Sequence, residues 1–165
     1  MSELQLPRLI SNHMVLQRDK EIHIWGRDLP GHRVMVSFRG EEAVVQTDEK
    51  GNFSLFLQKQ EAGGPFSMLF RDDLGNEEVV GDVYIGEVWF CSGQSNMELP
   101  MNRVKDRFPE DVADCKNTQI RTFKIRENGV FTAPLAELES GEWKSVQPET
   151  ILDFSAAGYY FAKAL

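Results

Sequence analysis

The stretch GEVWFCSGQSNMELP, residues 86–100, separates two kinds of chain. It opens on an apolar run, Val88-Trp89-Phe90-Cys91, and breaks at Ser92 and Gly93 into polar residues, Ser95 among them. Consecutive apolar residues read as a strand covered on both faces, as in a parallel sheet. A buried strand ending in Gly-x-Ser places Ser95 at the sheet's C-terminal edge, where α/β sites form. Gly93 leaves room for a sharp turn and a close-lying ligand. Two readings stand at this point. Ser95 is a nucleophile, activated by a base and facing backbone N–H donors, or it is a serine in a strand-ending turn. The pattern is not the Gly-x-Ser-x-Gly elbow, because Met97 stands where that pattern has glycine.

Upstream of the break the syntax is that of hairpins. EIHIW (residues 21–25) and HRVMVSF (32–38) alternate with period two. AVVQTD leads into the turn DEKGN, and FSLFL returns. FSMLFRD runs into a second turn, DDLGN, before EEVVGDVYIG. Short strands at close spacing predict an antiparallel, jelly-roll-like β-sandwich over residues 1–83 with no helix. Downstream, residues 109–117 are weakly helical, 120–125 alternate as a strand, Asn128 and Gly129 read as a turn, and 140–146 hold a short extended piece. Residues 153–165 read as a helix with Asp153 or Ser155 as its cap. Gly158 weakens that helix by about 1 kcal/mol relative to Ala. Residues 84–165 thus begin a strand–turn–helix–strand unit, but a doubly wound sheet needs more strands to bury both faces. The chain reads as the front part of a longer protein, or else as a complete α+β domain with a small second lobe.

The bulk numbers restrict function. A net charge of −8 over 165 residues gives no basic face for nucleic acid and no attraction to anionic membranes. No run approaches the ~20 apolar residues of a membrane span, and the N-terminus lacks the basic-then-apolar order of a signal peptide, which leans the expectation towards a soluble, cytoplasmic protein. Cys91 reads as a buried small hydrophobe. Two cysteines without paired spacing give little support to a disulfide and none to a zinc site. Trp25 and Trp89 read as core residues, and an unfinished sheet face predicts self-association.

GEVWFCSGQSNMELPM resembles the nucleophile block of the sialate O-acetylesterase family, within the SGNH-type carbohydrate esterases. LPRLISNHMVLQRDKEIHIWG (residues 6–26), AGGPF (62–66), GDVYIGEVW (81–89) and FSAAGYYFAKAL (154–165) resemble further family segments in the same order. The resemblance implies a β-sandwich-like N-terminal region followed by an α/β hydrolase of flavodoxin-like topology. It implies removal of O-acetyl groups from sugars or glycans without a metal or organic cofactor. By motif position, Ser95 is the nucleophile, its N–H contributes to the oxyanion hole, and Gly93, Gln94 and Asn96 line the site. The family's general base lies in a late Asp-x-x-His. None of the three histidines here fits: Ile10, Lys20 and Leu29 stand three residues before His13, His23 and His32, and all three precede Ser95. The expectation is that this polypeptide alone has little or no esterase activity and that the remaining catalytic groups belong to a C-terminal part. From another class, the alternative is a non-catalytic carbohydrate-binding or interaction module built on the β-sandwich.

Overall fold

A computed structural model describes residues 4–113, 115–125, 133, 135 and 137–165; the Asn128–Gly129 turn lies outside them. The chain forms two compact units. Unit 1 is Met1–Val88 with Lys124–Glu142, and unit 2 is Trp89–Phe123 with Trp143–Leu165.

Among the described residues, unit 1 holds seven strands: β1 (Val15–Gln17), β2 (Ile22–Arg27), β3 (Arg33–Phe38), β4 (Glu41–Gln46), β5 (Asn52–Leu57), β6 (Gly63–Asp72) and β7 (Glu77–Gly86). They form a five-stranded sheet in the order β1-β7-β6-β3-β4 and a ribbon of β2 with β5. The alternation of the sequence becomes a two-faced surface. Ile22 and Ile24 of β2 and Phe53, Leu55 and Leu57 of β5 are buried, as are Val34, Val36, Phe38, Met68 and Phe70 of the larger sheet. The expected sheet was purely antiparallel, whereas β1 joins β7 in parallel, with Val15 opposite Tyr84. That pairing joins segments some seventy residues apart, which local alternation does not register.

The turns after β4 and β6 are built alike, from the two Asp-x-x-Gly-Asn segments. The N–H groups of Lys50 and Asn52 both donate to Asp48 Oδ1, at 2.8 Å. Leu74 and Asn76 donate in the same way to Asp72 Oδ1, at 3.0 and 2.7 Å. The fourth residue is glycine because its φ is positive, +80° at Gly51 and +88° at Gly75.

Unit 2 contains α1 (Glu110–Ala113), β8 (Asn117–Phe123), β9 (Trp143–Val146) and α2 (Ala156–Ala164), with 3-10 turns at Met101–Arg103 and Ile151–Asp153. Its core gathers Met101, Cys115, Val146, Ile151, Phe154, Ala156 and Tyr159. Of the two candidate caps, Ser155 caps α2: its Oγ accepts the Gly158 N–H at 3.2 Å.

The apolar run is the main correction. No strand forms at residues 87–93. Val88, Trp89 and Phe90 are 44%, 57% and 89% exposed, and Cys91 is exposed as well. A run buried on both faces needs strands on either side, and among the described residues none pairs with it. β8 instead pairs with β9, antiparallel. Trp89 is therefore not a core residue; it stacks edge-on against Phe161 of α2, with ring centroids 5.1 Å apart. Trp25 is half-buried on the outer face of β2. Neither cysteine is in a disulfide; Cys91 is exposed, and the buried Cys115 donates its thiol to the Val112 carbonyl at 3.2 Å.

Candidate active site

Ser95 lies in a tight turn of unit 2 that starts directly after the exposed run. Gly93 has φ +152°, and Ser95 itself is held at φ +54°, in the left-handed region. Non-glycine residues enter that region at a cost and chiefly where surrounding structure holds them there. The Met97 N–H donates to the Gln94 carbonyl at 3.2 Å, and the Leu99 N–H donates to the Ser95 carbonyl at 2.9 Å. The chain then runs antiparallel to the start of α2. Pro100 bridges to Ser155, the Ala156 N–H donates to the Leu99 carbonyl at 2.8 Å, and the Met101 N–H donates to the Phe154 carbonyl at 2.9 Å. These bonds fix the C-terminal limb of the turn on a helix whose own start is capped. A Cβ added to Gly93 would come within 3.3 Å of Met97 Cβ, so the turn closes tightly there.

Gly93, Gln94, Ser95 and Asn96 are brought together on one exposed turn. Among the described residues, neither the N–H groups of Ser95 and Asn96 nor the Ser95 hydroxyl makes a hydrogen bond. Two consecutive unengaged donors beside a solvent-facing hydroxyl have the makings of an oxyanion site. The left-handed serine was not legible in the sequence; its one signal was the small Gly93 two residues before it.

The histidines occupy unit 1, each with a partner there. His13 Nδ1 lies 2.6 Å from Asp82 Oδ2, and both residues have left-handed backbones. His23 Nε2 lies 2.8 Å from Ser54 Oγ. His32 Nδ1 lies 2.7 Å from Asp73 Oδ1. That contact, followed by the Arg33 N–H, holds the Asp73 carboxyl below its usual range. Among the described residues no group of three or more His, Cys, Asp or Glu side chains is arranged to hold a metal.

A cluster of titratable side chains joins α1 and α2 in unit 2. Asp111 of α1 accepts from Lys163 and from the Tyr160 hydroxyl of α2. Lys163, then Tyr160, holds the Asp111 carboxyl low. Burial, and after it the bond to Asp111, pushes the Tyr160 phenol up to about 12. The cluster ties α1 to α2, a structural task.

The chain is 30% identical over 126 residues to the sialate O-acetylesterase of Mus musculus, covering 70% of this chain and 23% of that protein. The human sialate O-acetylesterase is 35% identical over 105 residues, 58% of this chain and 20% of that protein. The chain belongs to a sialate O-acetylesterase-like family. A carbohydrate acetylesterase from Xanthomonas citri matches 98% of this chain with a TM-score of 0.93 and 39% identity, over 37% of its own length. No protein-family model matches. The chain thus spans between a fifth and a quarter of the mammalian members and little more than a third of the bacterial one.

Proposed function

We propose that this chain is the nucleophile-bearing portion of a carbohydrate O-acetylesterase, a serine-type hydrolase that removes acetyl groups from sugar hydroxyls. Residues 1–83 form its β-sandwich-like domain, and residues 84–165 open an SGNH-type α/β domain. The observation that carries this reading is the Ser95 turn: a left-handed, solvent-facing serine with unengaged N–H groups on itself and on Asn96. In the reaction, Ser95 Oγ attacks the acetyl carbonyl while a histidine takes its proton. The Ser95 N–H donates to the resulting oxyanion, Gln94 and Asn96 line the substrate, and Gly93 keeps the approach open. The tetrahedral intermediate collapses, and the sugar oxygen leaves with the proton held by the histidine. That histidine then deprotonates a water, which cleaves acetyl-Ser95 to acetate and free enzyme. The scheme calls on no metal or organic cofactor.

The base does not come from His13, His23 or His32, which are engaged within unit 1 and carry no aspartate three residues before them. A serine without a base is a poor nucleophile near neutral pH, so these 165 residues alone turn over little or no ester. The histidine belongs to the remaining length that family members possess. The test uses a fluorophosphonate probe on this chain and on a polypeptide extended to include a downstream Asp-x-x-His. Labelling of the extended form, lost in Ser95→Ala, is expected. A stoichiometric burst of acetate from the short chain would refute the missing base, and labelling that survives Ser95→Ala would refute the nucleophile.

A further inference from the structure

The outer face of the β2–β5 ribbon carries three stacked rings. His23 sits between Trp25, at 5.0 Å with planes 25° apart, and Phe56, at 4.6 Å with planes 17° apart. The register explains the stack. His23 and Trp25 are two residues apart on β2, hence on one face, and Phe56 is the partner directly opposite His23 on β5. Ser54, opposite Trp25, fixes the His23 ring by its edge. The stack is not covered: Phe56 is 59% exposed and His23 is exposed too. At the Phe56 end an aromatic ring is exposed to solvent, and the negative quadrupole of such a ring face attracts polarised C–H groups.

Beside the stack, and sharing His23 with it, lies a cavity of about 210 Å³ between β2 and β1. That is smaller than the sites of drug-sized ligands and of the size of one or two small rings. Val15, Ile22 and Val88 give it apolar walls, while Gln17 and Glu21 add hydrogen-bonding groups. Among the described residues lining it, Glu21 is the one carboxylate, and no lysine or arginine is present. The charge balance accepts hydroxyl donors and repels an anionic ligand.

We propose that the His23–Trp25–Phe56 stack and the adjoining cavity form a carbohydrate subsite, built wholly from unit 1, that takes uncharged pyranose rings rather than carboxylate-bearing sugars. An aromatic face with polar groups at its margin complements a pyranose, whose axial C–H groups form an apolar face and whose hydroxyls radiate outward. The assignment rests on the carbohydrate reading above and names the kind of glycan that reading leaves open.

The test is performed on the chain carrying Ser95→Ala, so that binding is separated from hydrolysis and from the fate of the nucleophile assignment. Xylohexaose and N-acetylneuraminic acid are titrated while amide chemical shifts are followed by NMR. Xylohexaose is expected to bind with a Kd on the order of 1 mM, with shifts confined to β1, β2 and β5. Phe56→Ala is expected to weaken binding about tenfold, equivalent to the loss of one stacking contact of about 1.4 kcal/mol. Phe56→Tyr keeps the ring and restores affinity, which separates stacking from a folding defect. Absence of shifts with xylohexaose at about 10 mM overturns the proposal. Affinity unchanged in Phe56→Ala, or tighter binding of N-acetylneuraminic acid than of xylohexaose, overturns it as well. If Ser95 is labelled as expected while xylohexaose fails to bind, the subsite falls and the esterase reading stands.

Discussion

Asp28 follows β2 and is 6% exposed, yet among the described residues neither carboxylate oxygen has a partner in good hydrogen-bond geometry, the Leu29 N–H being a weak neighbour only. Replacing it with asparagine, Asp28→Asn, should stabilise the protein at neutral pH. Burial is the largest cause pushing its carboxyl above the ordinary 3.8; the neighbouring carboxylates of Asp72 and Asp73 add to it, while Leu29 N–H and His32 work against it. A buried polar group without a partner costs about 1–3 kcal/mol, and asparagine removes the charge while keeping the shape. The sign follows from linkage. Below pH 3.8 the carboxyl is protonated in folded and unfolded chains alike and imposes no charge penalty. As pH rises from there through the raised folded value, the unfolded chain ionises first and the native state loses stability relative to it. The difference between variant and wild type should therefore be small at acid pH, grow through that window and level off above it. In a unit of this size, 1 kcal/mol shifts Tm by about 4–8 °C. Thermal melts of both proteins by circular dichroism between pH 3 and 8, read on the β-sheet transition, measure the shift. A difference independent of pH, or a variant less stable at pH 7 than wild type, would refute the reasoning and show that the Asp28 carboxylate is held by a favourable partner.

Two further outcomes follow from local geometry. Gly51→Ala should cost more than about 2 kcal/mol, because φ is +80° and a Cβ would stand 2.2 Å from the Asp28 carbonyl oxygen, whereas Gly31→Ala, at φ +79° with open space around it, should cost about 1 kcal/mol; urea denaturation of both variants makes the comparison, and equal losses would contradict it. Asp111→Asn should bring the Tyr160 phenol down from about 12 while leaving it above 10, since burial is the larger cause; ultraviolet titration of the tyrosinate band reads this, and an unchanged midpoint would show that the hydrogen bond contributes nothing.

Strands β2 to β7 of unit 1 were legible because period-two alternation is local, whereas the three-residue β1 was not. Ile22 and Ile24 point inward, and His23 and Trp25 outward, whatever the partner strand is. The cap of α2 and the two Asp-x-x-Gly-Asn turns were legible for the same reason: side chain, backbone donor and glycine all lie within five residues. Ser95 was singled out by family resemblance and by Gly93, while its left-handed backbone is set by bonds to Leu99 and by the pinning of the following residues on α2. The run Val88-Trp89-Phe90-Cys91 shows the limit. Its composition calls for burial, but burial requires neighbours, and composition does not supply them. Likewise the parallel pairing of β1 with β7, the orphaned carboxyl of Asp28 and the placement of Phe56 across from His23 depend on segments far apart in the chain. Short-range hydrogen bonding and side-chain alternation are properties of the polypeptide itself; register, burial and the company a charge keeps exist only once distant segments meet.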